Sequence, residues 1–146
     1  MTLDQWFTVC NTAVLPFWLL LVVAPRARVT ALLVHSPLVP ALLGTAYGVF
    51  LATIERAPPG GSFFSLAGVT ALFTLPQGVL VGWIHYLVFD LFIGAWQARD
   101  AARRGIPHAL LVPCLFVTLM LGPLGLLLYL LLRASLKRRF SLQESD

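Results

Sequence analysis

Long uncharged apolar runs constrain this chain more than any other feature of its sequence. Four of them cover about residues 5–25, 37–54, 79–97 and 107–132. An α-helix rises about 1.5 Å per residue, so roughly 20 apolar residues cross a hydrocarbon layer of about 30 Å. Charged residues make up only 11% of the chain, against about 25% in soluble domains. The pattern therefore predicts an all-α integral membrane four-helix bundle within residues 1–133.

A shorter apolar stretch lies between the second and third runs. Residues 57–61 read Ala-Pro-Pro-Gly-Gly, which is a turn signal, and residues 63–75 are apolar but too short to cross unaided. We expect residues 63–75 to form a short interfacial or re-entrant helix, with a fifth crossing as the minority alternative. Residues 134–146 return to polar side chains and are expected to form a polar C-terminal tail.

The basic residues do not decide the orientation of four crossings. Five fall on each side: residues 56, 133 and 137–139 on one, and residues 26, 28, 99, 103 and 104 on the other. The positive-inside rule therefore expresses no preference. Because these residues cluster beside apolar runs, the expected partner is membrane lipid and not nucleic acid.

The sequence shows no pattern of ligands for a metal ion or a cofactor. Cys10 and Cys114 each stand alone within an apolar run, without another Cys or a His at metal-ligand spacing. No glycine-rich phosphate-binding loop is present. We expect neither a bound metal nor a cofactor.

Asp90 is the most informative polar residue, because it interrupts the third apolar run. A carboxyl at that depth costs about 2.5 to 3.5 kcal/mol on the insertion scale. Apolar surroundings favour the neutral acid, which can donate a proton to a buried oxygen. The alternative is a structural hydrogen bond between helices. His85 precedes Asp90 by five residues, so on a helix it points about 140° away and serves another face.

Two further features have simpler interpretations. Asp100, Arg103 and Arg104 are spaced for local ion pairs on a helix, and we interpret them as an anionic-lipid contact at its end, not as a substrate site. Gly122 and Pro123 interrupt the fourth run. They predict either a kink for close packing or a carbonyl that lines a cavity.

Three segments give the chain a family resemblance. Residues 11–18 read Asn-Thr-Ala-Val-Leu-Pro-Phe-Trp, residues 82–96 read Gly-Trp-Ile-His-Tyr-Leu-Val-Phe-Asp-Leu-Phe-Ile-Gly-Ala-Trp, and residues 122–127 read Gly-Pro-Leu-Gly-Leu-Leu. Over nearly its whole length the chain resembles the abscisic acid deficient-four family. The plant members are four-span plastid membrane proteins tied to conversion of the epoxycarotenoid violaxanthin to neoxanthin, a neoxanthin-synthase-like role.

The resemblance implies opening of an epoxide to an allenic alcohol, an isomerisation that needs an acid and a base but no redox cofactor. On this hypothesis the chain is a carotenoid isomerase in which Asp90 is the catalytic acid and His85 or a water is the base. The predicted substrate-binding residues combine one amide with an aromatic wall for a long polyene; they are Asn11, Trp83, Tyr86, Phe89, Phe92 and Trp96.

Two other functions stay open. A buried acid and balanced flanking charge also describe a small proton-coupled transporter that assembles as a homodimer of mixed orientation. A carotenoid-binding or assembly protein without turnover would return its pigment unchanged. No basic or Arg/Ser-rich segment precedes the first run, so we expect a retained first helix. For location, this favours a bacterial plasma membrane or a thylakoid over a plastid envelope.

Overall fold

The computed structural model describes residues 1–137, which form helices and connecting turns without any β-strand in that range. The predicted all-α class is confirmed. Three stretches are long and apolar enough to cross a membrane: Leu3–Val23, Arg28–Ala52 and Pro76–Arg103. The helices are α1 (Leu3–Ala13), α2 (Leu15–Val23), α3 (Arg28–Leu33), α4 (Leu38–Ala52), α5 (Leu66–Leu72), α6 (Pro76–Arg103), α7 (His108–Leu121) and α8 (Pro123–Lys137).

Local sequence signals explain where the helices begin. Thr2 and Gln5 form a capping box at α1, in which the Gln5 N–H donates to Thr2 Oγ1 at 3.2 Å and the Thr2 N–H donates to Gln5 Oε1 at 2.9 Å. Pro16 and Pro76 lie in the first turns of α2 and α6. Proline suits those positions because a first-turn N–H has no intrahelical partner.

The 28-residue helix α6 is the centre of the fold and contacts α1, α2, α4, α7 and α8. The α1–α2 segment runs parallel to it, because Asn11 lies beside Trp83 and Trp18 lies beside Gly94. Helix α4 runs antiparallel and brings Tyr47 near the His85 ring, with ring centroids 6.1 Å apart. These five helices are therefore positioned relative to α6.

A short helix, α5, lies where the sequence predicts one between the second and third long stretches. It spans Leu66–Leu72, and the Gly68 N–H donates to the Ser65 hydroxyl at 3.0 Å to cap its first turn. Seven residues rise only about 10 Å, so α5 does not cross a membrane. Phe63 and Phe64, just before it, are strongly exposed.

Where the sequence predicts one continuous fourth span, 107–132, the structure has a hairpin of two helices. His108, at the start of α7, lies with the C-terminal end of α6 around one cavity. Gly122, between α7 and α8, lies against Asp90, midway along α6. Helix α8 then returns, so that the Tyr129 ring packs on Trp96 with centroids 5.6 Å apart. Each arm rises only about 21 Å, and both open ends lie at the same end of α6.

The backbone at Gly122 explains this reversal. Gly122 has φ 31° and ψ −90°, a conformation that L side chains rarely adopt. Pro123 follows and lacks the N–H that would continue the hydrogen bonding of α7. Gly125 then packs directly on the backbone of Thr118, where a Cβ atom would clash. Helix α8 continues through Lys137, so the predicted polar tail, 134–146, is helical in its first four residues, and 138–146 lie outside the described residues.

The hairpin changes the distribution of charge. With α8 returning to the C-terminal end of α6, the seven described arginines divide six to one, whereas four crossings would divide the same seven five to two. Arg56 lies at one end of the three long stretches; Arg26, Arg28, Arg99, Arg103, Arg104 and Arg133 lie at the other. The even split predicted for four crossings also counts residues 137–139, and among the described arginines the hairpin changes the end at which Arg133 lies.

Candidate functional site

Asp90 is buried against the turn of the hairpin, with only 8% of its surface exposed. A Cβ atom on Gly122 would lie 2.5 Å from Asp90 Oδ1, so only glycine leaves room for the carboxyl here. The Tyr86 hydroxyl donates to the Leu119 carbonyl at 3.1 Å and lies close to the Asp90 side chain, one helical turn further along α6. A chain of polar groups therefore runs from Asp90 through Tyr86 to α7.

The second carboxyl oxygen of Asp90 is different. Oδ2 is buried and has no hydrogen-bond partner among residues 1–137. A buried polar atom without a partner costs several kcal/mol in apolar surroundings, and most such atoms in proteins are satisfied. Asp90 Oδ2 therefore has the capacity to bind one further donor or acceptor, such as an oxygen of a ligand.

An apolar groove lies beside this polar chain. Its volume is about 620 Å³, and it is lined by residues of α1, α2 and α7, among them Thr12, Pro16, Phe116 and Leu119. Leu119 also provides the carbonyl that accepts the hydrogen bond from Tyr86. The Tyr86 hydroxyl thus connects Asp90 with the backbone of the groove wall.

The structure does not bring His85 and Asp90 together. His85 lies on the face of α6 that packs towards α4, and its ring stacks on Phe89 with centroids 4.6 Å apart. It lines a separate cavity of about 310 Å³ with Tyr47 and Gly82. This agrees with the 140° separation expected on a helix, and it removes His85 from the surroundings of Asp90.

Part of the predicted substrate-binding set does lie on the Asp90 face. The Trp83 indole N–H donates to Asn11 Oδ1 at 3.1 Å, which joins α6 to α1. The Trp83 and Tyr86 rings lie 5.2 Å apart, and Tyr86 contacts Asp90. Asn11, Trp83 and Tyr86 therefore form one continuous contact leading to the carboxyl.

The other predicted wall residues point elsewhere. Phe89 and Phe92 are 55% and 49% exposed, so they lie on the outer surface of the fold. Trp96 packs edge-on against Tyr129. The structure does not assemble the five aromatic side chains into one slot, because they are spread over about half the circumference of α6.

A second buried carboxyl, Asp100, is the centre of a polar cluster that the sequence interpretation missed. Asp100 is 1% exposed. It accepts from Arg104 Nε at 2.9 Å, pairs with Arg133 Nε at 3.2 Å, and accepts from the Tyr129 hydroxyl at 2.6 Å. The interpretation of Asp100 as part of a lipid contact is wrong, because its carboxylate joins α6 to α8 in the interior. A tyrosine within the fourth apolar run, Tyr129, and the arginine that directly follows the run, Arg133, were the available signal.

A third buried contact completes the seam between α6 and the hairpin. Gln97, fully buried, donates through Nε2 to Thr118 Oγ1 at 3.0 Å, and the Thr118 hydroxyl reaches the Cys114 carbonyl at 2.8 Å. Cys10 and Cys114 are both free and buried. Within residues 1–137, no group of three or more His, Cys, Asp or Glu side chains is arranged to hold a metal ion.

Comparison with known proteins gives one family and one curated relative. The model of the family described as ABA DEFICIENT 4-like matches residues 5–129. The chain is 29% identical to the chloroplastic protein ABA DEFICIENT 4 of Arabidopsis thaliana, in an alignment that covers 92% of this chain and 63% of that relative. The chain therefore spans less than two thirds of the relative's length. No solved structure matches the chain.

Proposed function

Because this chain belongs to the ABA DEFICIENT 4-like family, we propose that it is an integral membrane protein that isomerises an epoxide-bearing, carotenoid-type lipid. The family relationship supports a role linked to neoxanthin formation. The observation that carries the chemistry is Asp90, a buried carboxyl with one oxygen that has no partner among the described residues.

The membrane placement is supported by the three long apolar stretches and by the hairpin. On this proposal α7 and α8 enter and leave at one membrane surface, with Gly122 near mid-depth beside Asp90. The exposed Phe63 and Phe64 dip into the opposite interface ahead of α5. A bacterial plasma membrane or a thylakoid is the proposed location.

One residue can donate and recover the proton that the proposed isomerisation needs. Neutral Asp90 donates its proton to the epoxide oxygen as the carbon–oxygen bond breaks, which leaves a hydroxyl on one carbon. The Asp90 carboxylate then takes a proton from the neighbouring chain carbon, and the electron pair of that carbon–hydrogen bond forms the new double bond of the allene. Asp90 is neutral again, and the product is an isomer of the substrate. We assign both steps to Asp90 because His85 lies on the opposite face of α6.

The polyene is proposed to lie in the groove between α2 and α7. A volume of about 620 Å³ and a lining of apolar side chains suit part of a long hydrocarbon ligand. The Tyr86 hydroxyl donates its proton to the Leu119 carbonyl at the groove wall, so the Tyr86 ring, and not its hydroxyl, would position the epoxide end of the ligand beside Asp90. In this arrangement Tyr86 is a positioning residue.

The charge distribution favours this function over a transporter that assembles in mixed orientation. Six of the described arginines lie at one end of the long stretches and Arg56 at the other. Such a bias specifies a single orientation under the positive-inside rule. An exporter built from two oppositely oriented copies needs a balanced distribution instead.

Expression in a bacterium that accumulates epoxycarotenoids tests the proposal. We expect a new pigment of unchanged mass and altered absorption, separated by chromatography, that is absent from cells with the empty vector. Pigment that copurifies with the protein but is returned unchanged would show binding without turnover. That result would contradict the isomerase proposal.

A further inference from the structure

A large cavity lies far from Asp90, at the end of the fold where the arginines gather. Its volume is about 840 Å³. It opens between the loop that joins α2 to α3 and the C-terminal end of α6, and Ile106 and Leu111 close its inner side. None of the sequence features discussed for catalysis lines it.

Positive charge dominates the mouth of this cavity. Arg26 comes from the loop, whereas Arg99 and Arg103 come from successive turns of α6, and no acidic side chain is among the lining residues. Arg26 and Arg103 are exposed. The electrostatic potential of such a mouth attracts an anion.

Two histidines, His35 and His108, contact Arg99 and the chain around the loop that joins α2 to α3. Arg99 lies 3.3 Å from His35 Nδ1, and His35 Nε2 lies 3.3 Å from the Pro25 carbonyl. Because a guanidinium only donates, His35 Nδ1 accepts and Nε2 carries the proton that the Pro25 carbonyl accepts. His108 Nε2 likewise donates to the Val22 carbonyl at 2.7 Å. The cavity is therefore a preformed site.

The deeper walls of the cavity are apolar. Ala98, Ile106 and Leu111, which are all buried, lie below the arginines. A small inorganic anion makes no favourable contact with apolar walls. A lipid does, because its charged headgroup can lie at the arginines while its glycerol and upper acyl carbons contact the apolar side chains. The size of the cavity also suits a headgroup better than a single ion.

We propose that this cavity binds the phosphate headgroup of an anionic membrane lipid. The inference rests on the membrane placement proposed above, which puts the ends of α2 and α6 at headgroup level, but not on the isomerase chemistry. Arg26 and Arg99 contact the phosphate oxygens, and the apolar walls hold the beginning of the acyl chains. Free inorganic phosphate carries the same charged oxygens as a lipid headgroup, so the test has to distinguish these two ligands.

The test measures retention of lipid by the detergent-purified full chain, using native mass spectrometry after incubation with phosphatidylglycerol or phosphatidylcholine. Each arginine near a membrane surface contributes about fivefold in affinity for anionic lipid. We therefore expect Arg26→Gln to weaken phosphatidylglycerol binding about fivefold and Arg26→Gln with Arg99→Gln about thirtyfold. Arg28→Gln is the matched control, because Arg28 is exposed at the same end but does not line the cavity.

Three results would overturn the proposal. One is equal loss of phosphatidylglycerol in the Arg28→Gln control, which would indicate attraction by net charge alone. Another is displacement of the lipid by millimolar inorganic phosphate, which would make free phosphate the ligand. The third is failure of the wild-type chain to float with neutral phosphatidylcholine vesicles, which would remove the membrane placement itself. Loss of isomerase activity in the pigment assay would leave this proposal untouched, so the two failures are distinguishable.

Discussion

The Tyr129 hydroxyl donates a 2.6 Å hydrogen bond to Asp100 Oδ2, across 29 residues of sequence. This bond fastens the returning arm of the hairpin, α8, to the end of α6, and the Arg133 ion pair to the same oxygen reinforces it. The contact exists only because the chain reverses at Gly122. It is therefore the best single probe of the hairpin.

Replacement of Tyr129 by phenylalanine is expected to destabilise the protein by roughly 1.5 to 3 kcal/mol, the usual contribution of a hydrogen bond to a charged group. Thermal unfolding in detergent measures the change. Tyr47→Phe is the matched control, because the Tyr47 hydroxyl has no hydrogen-bond partner among residues 1–137 and should cost less than about 0.5 kcal/mol. Equal destabilisation by the two changes would contradict the hairpin anchor.

The hairpin also makes a prediction about sidedness. In a variant without Cys10 and Cys114, single cysteines replace Arg28, Arg56 or Ser135, all of which are exposed. An impermeant maleimide should label positions 28 and 135 from the same side of a sealed vesicle and position 56 from the other. Four crossings would instead group 135 with 56, so labelling in that pattern would rule out the hairpin.

Gly122 should tolerate no side chain. Alanine there adopts a positive φ, which costs roughly 1 to 2 kcal/mol, and its Cβ lies 2.5 Å from Asp90 Oδ1, which adds about 1 to 3 kcal/mol of overpacking. Gly105→Ala is the matched control, because Gly105 has φ 58° but open space around its Cβ position. In thermal unfolding, the melting temperature of Gly122→Ala should lie well below that of Gly105→Ala. Similar melting temperatures would show that the carboxyl does not lie against the turn.

Asp90→Asn should lower isomerase activity by about 10² to 10⁴-fold, because an amide cannot donate the proton that a carboxylic acid supplies. Chromatography of pigments from expressing cells measures it, with Glu55→Gln as a control for carboxyl loss at an exposed site. Full activity of Asp90→Asn would reduce Asp90 to a helix contact. His85→Gln should stay within about twofold of wild type, and a larger loss would restore His85 as the base.

Hydropathy alone predicts the helical class, because the apolar runs are long and their charges lie at the ends. It also predicts a short helix near α5 and an inward position for Asp90. It does not predict the hairpin, since a Gly-Pro pair within an apolar run is compatible with either a kinked span or a reversal. The direction in which the chain continues after Gly122 depends on φ at Gly122 and on the packing of Gly125 against Thr118.

The role of Asp100 depends on the same reversal. Spacing along one helix shows its neighbours Arg103 and Arg104, which suggests an exposed ion pair. Two of its partners, Tyr129 and Arg133, come from a helix whose position the sequence does not specify. The aromatic wall fails for a different reason, because at 100° per residue the five aromatic positions between 83 and 96 spread over about half the circumference of α6 and do not share one face.

Helix α8 connects the two buried carboxyls of α6. Near its C-terminal end Arg133 pairs with Asp100, and Gly122, which directly precedes it, lies against Asp90. The helical rise between Gly122 and Arg133 is about 16 Å. On the membrane placement proposed above, we expect a change at headgroup level to alter the packing of Gly122 against Asp90.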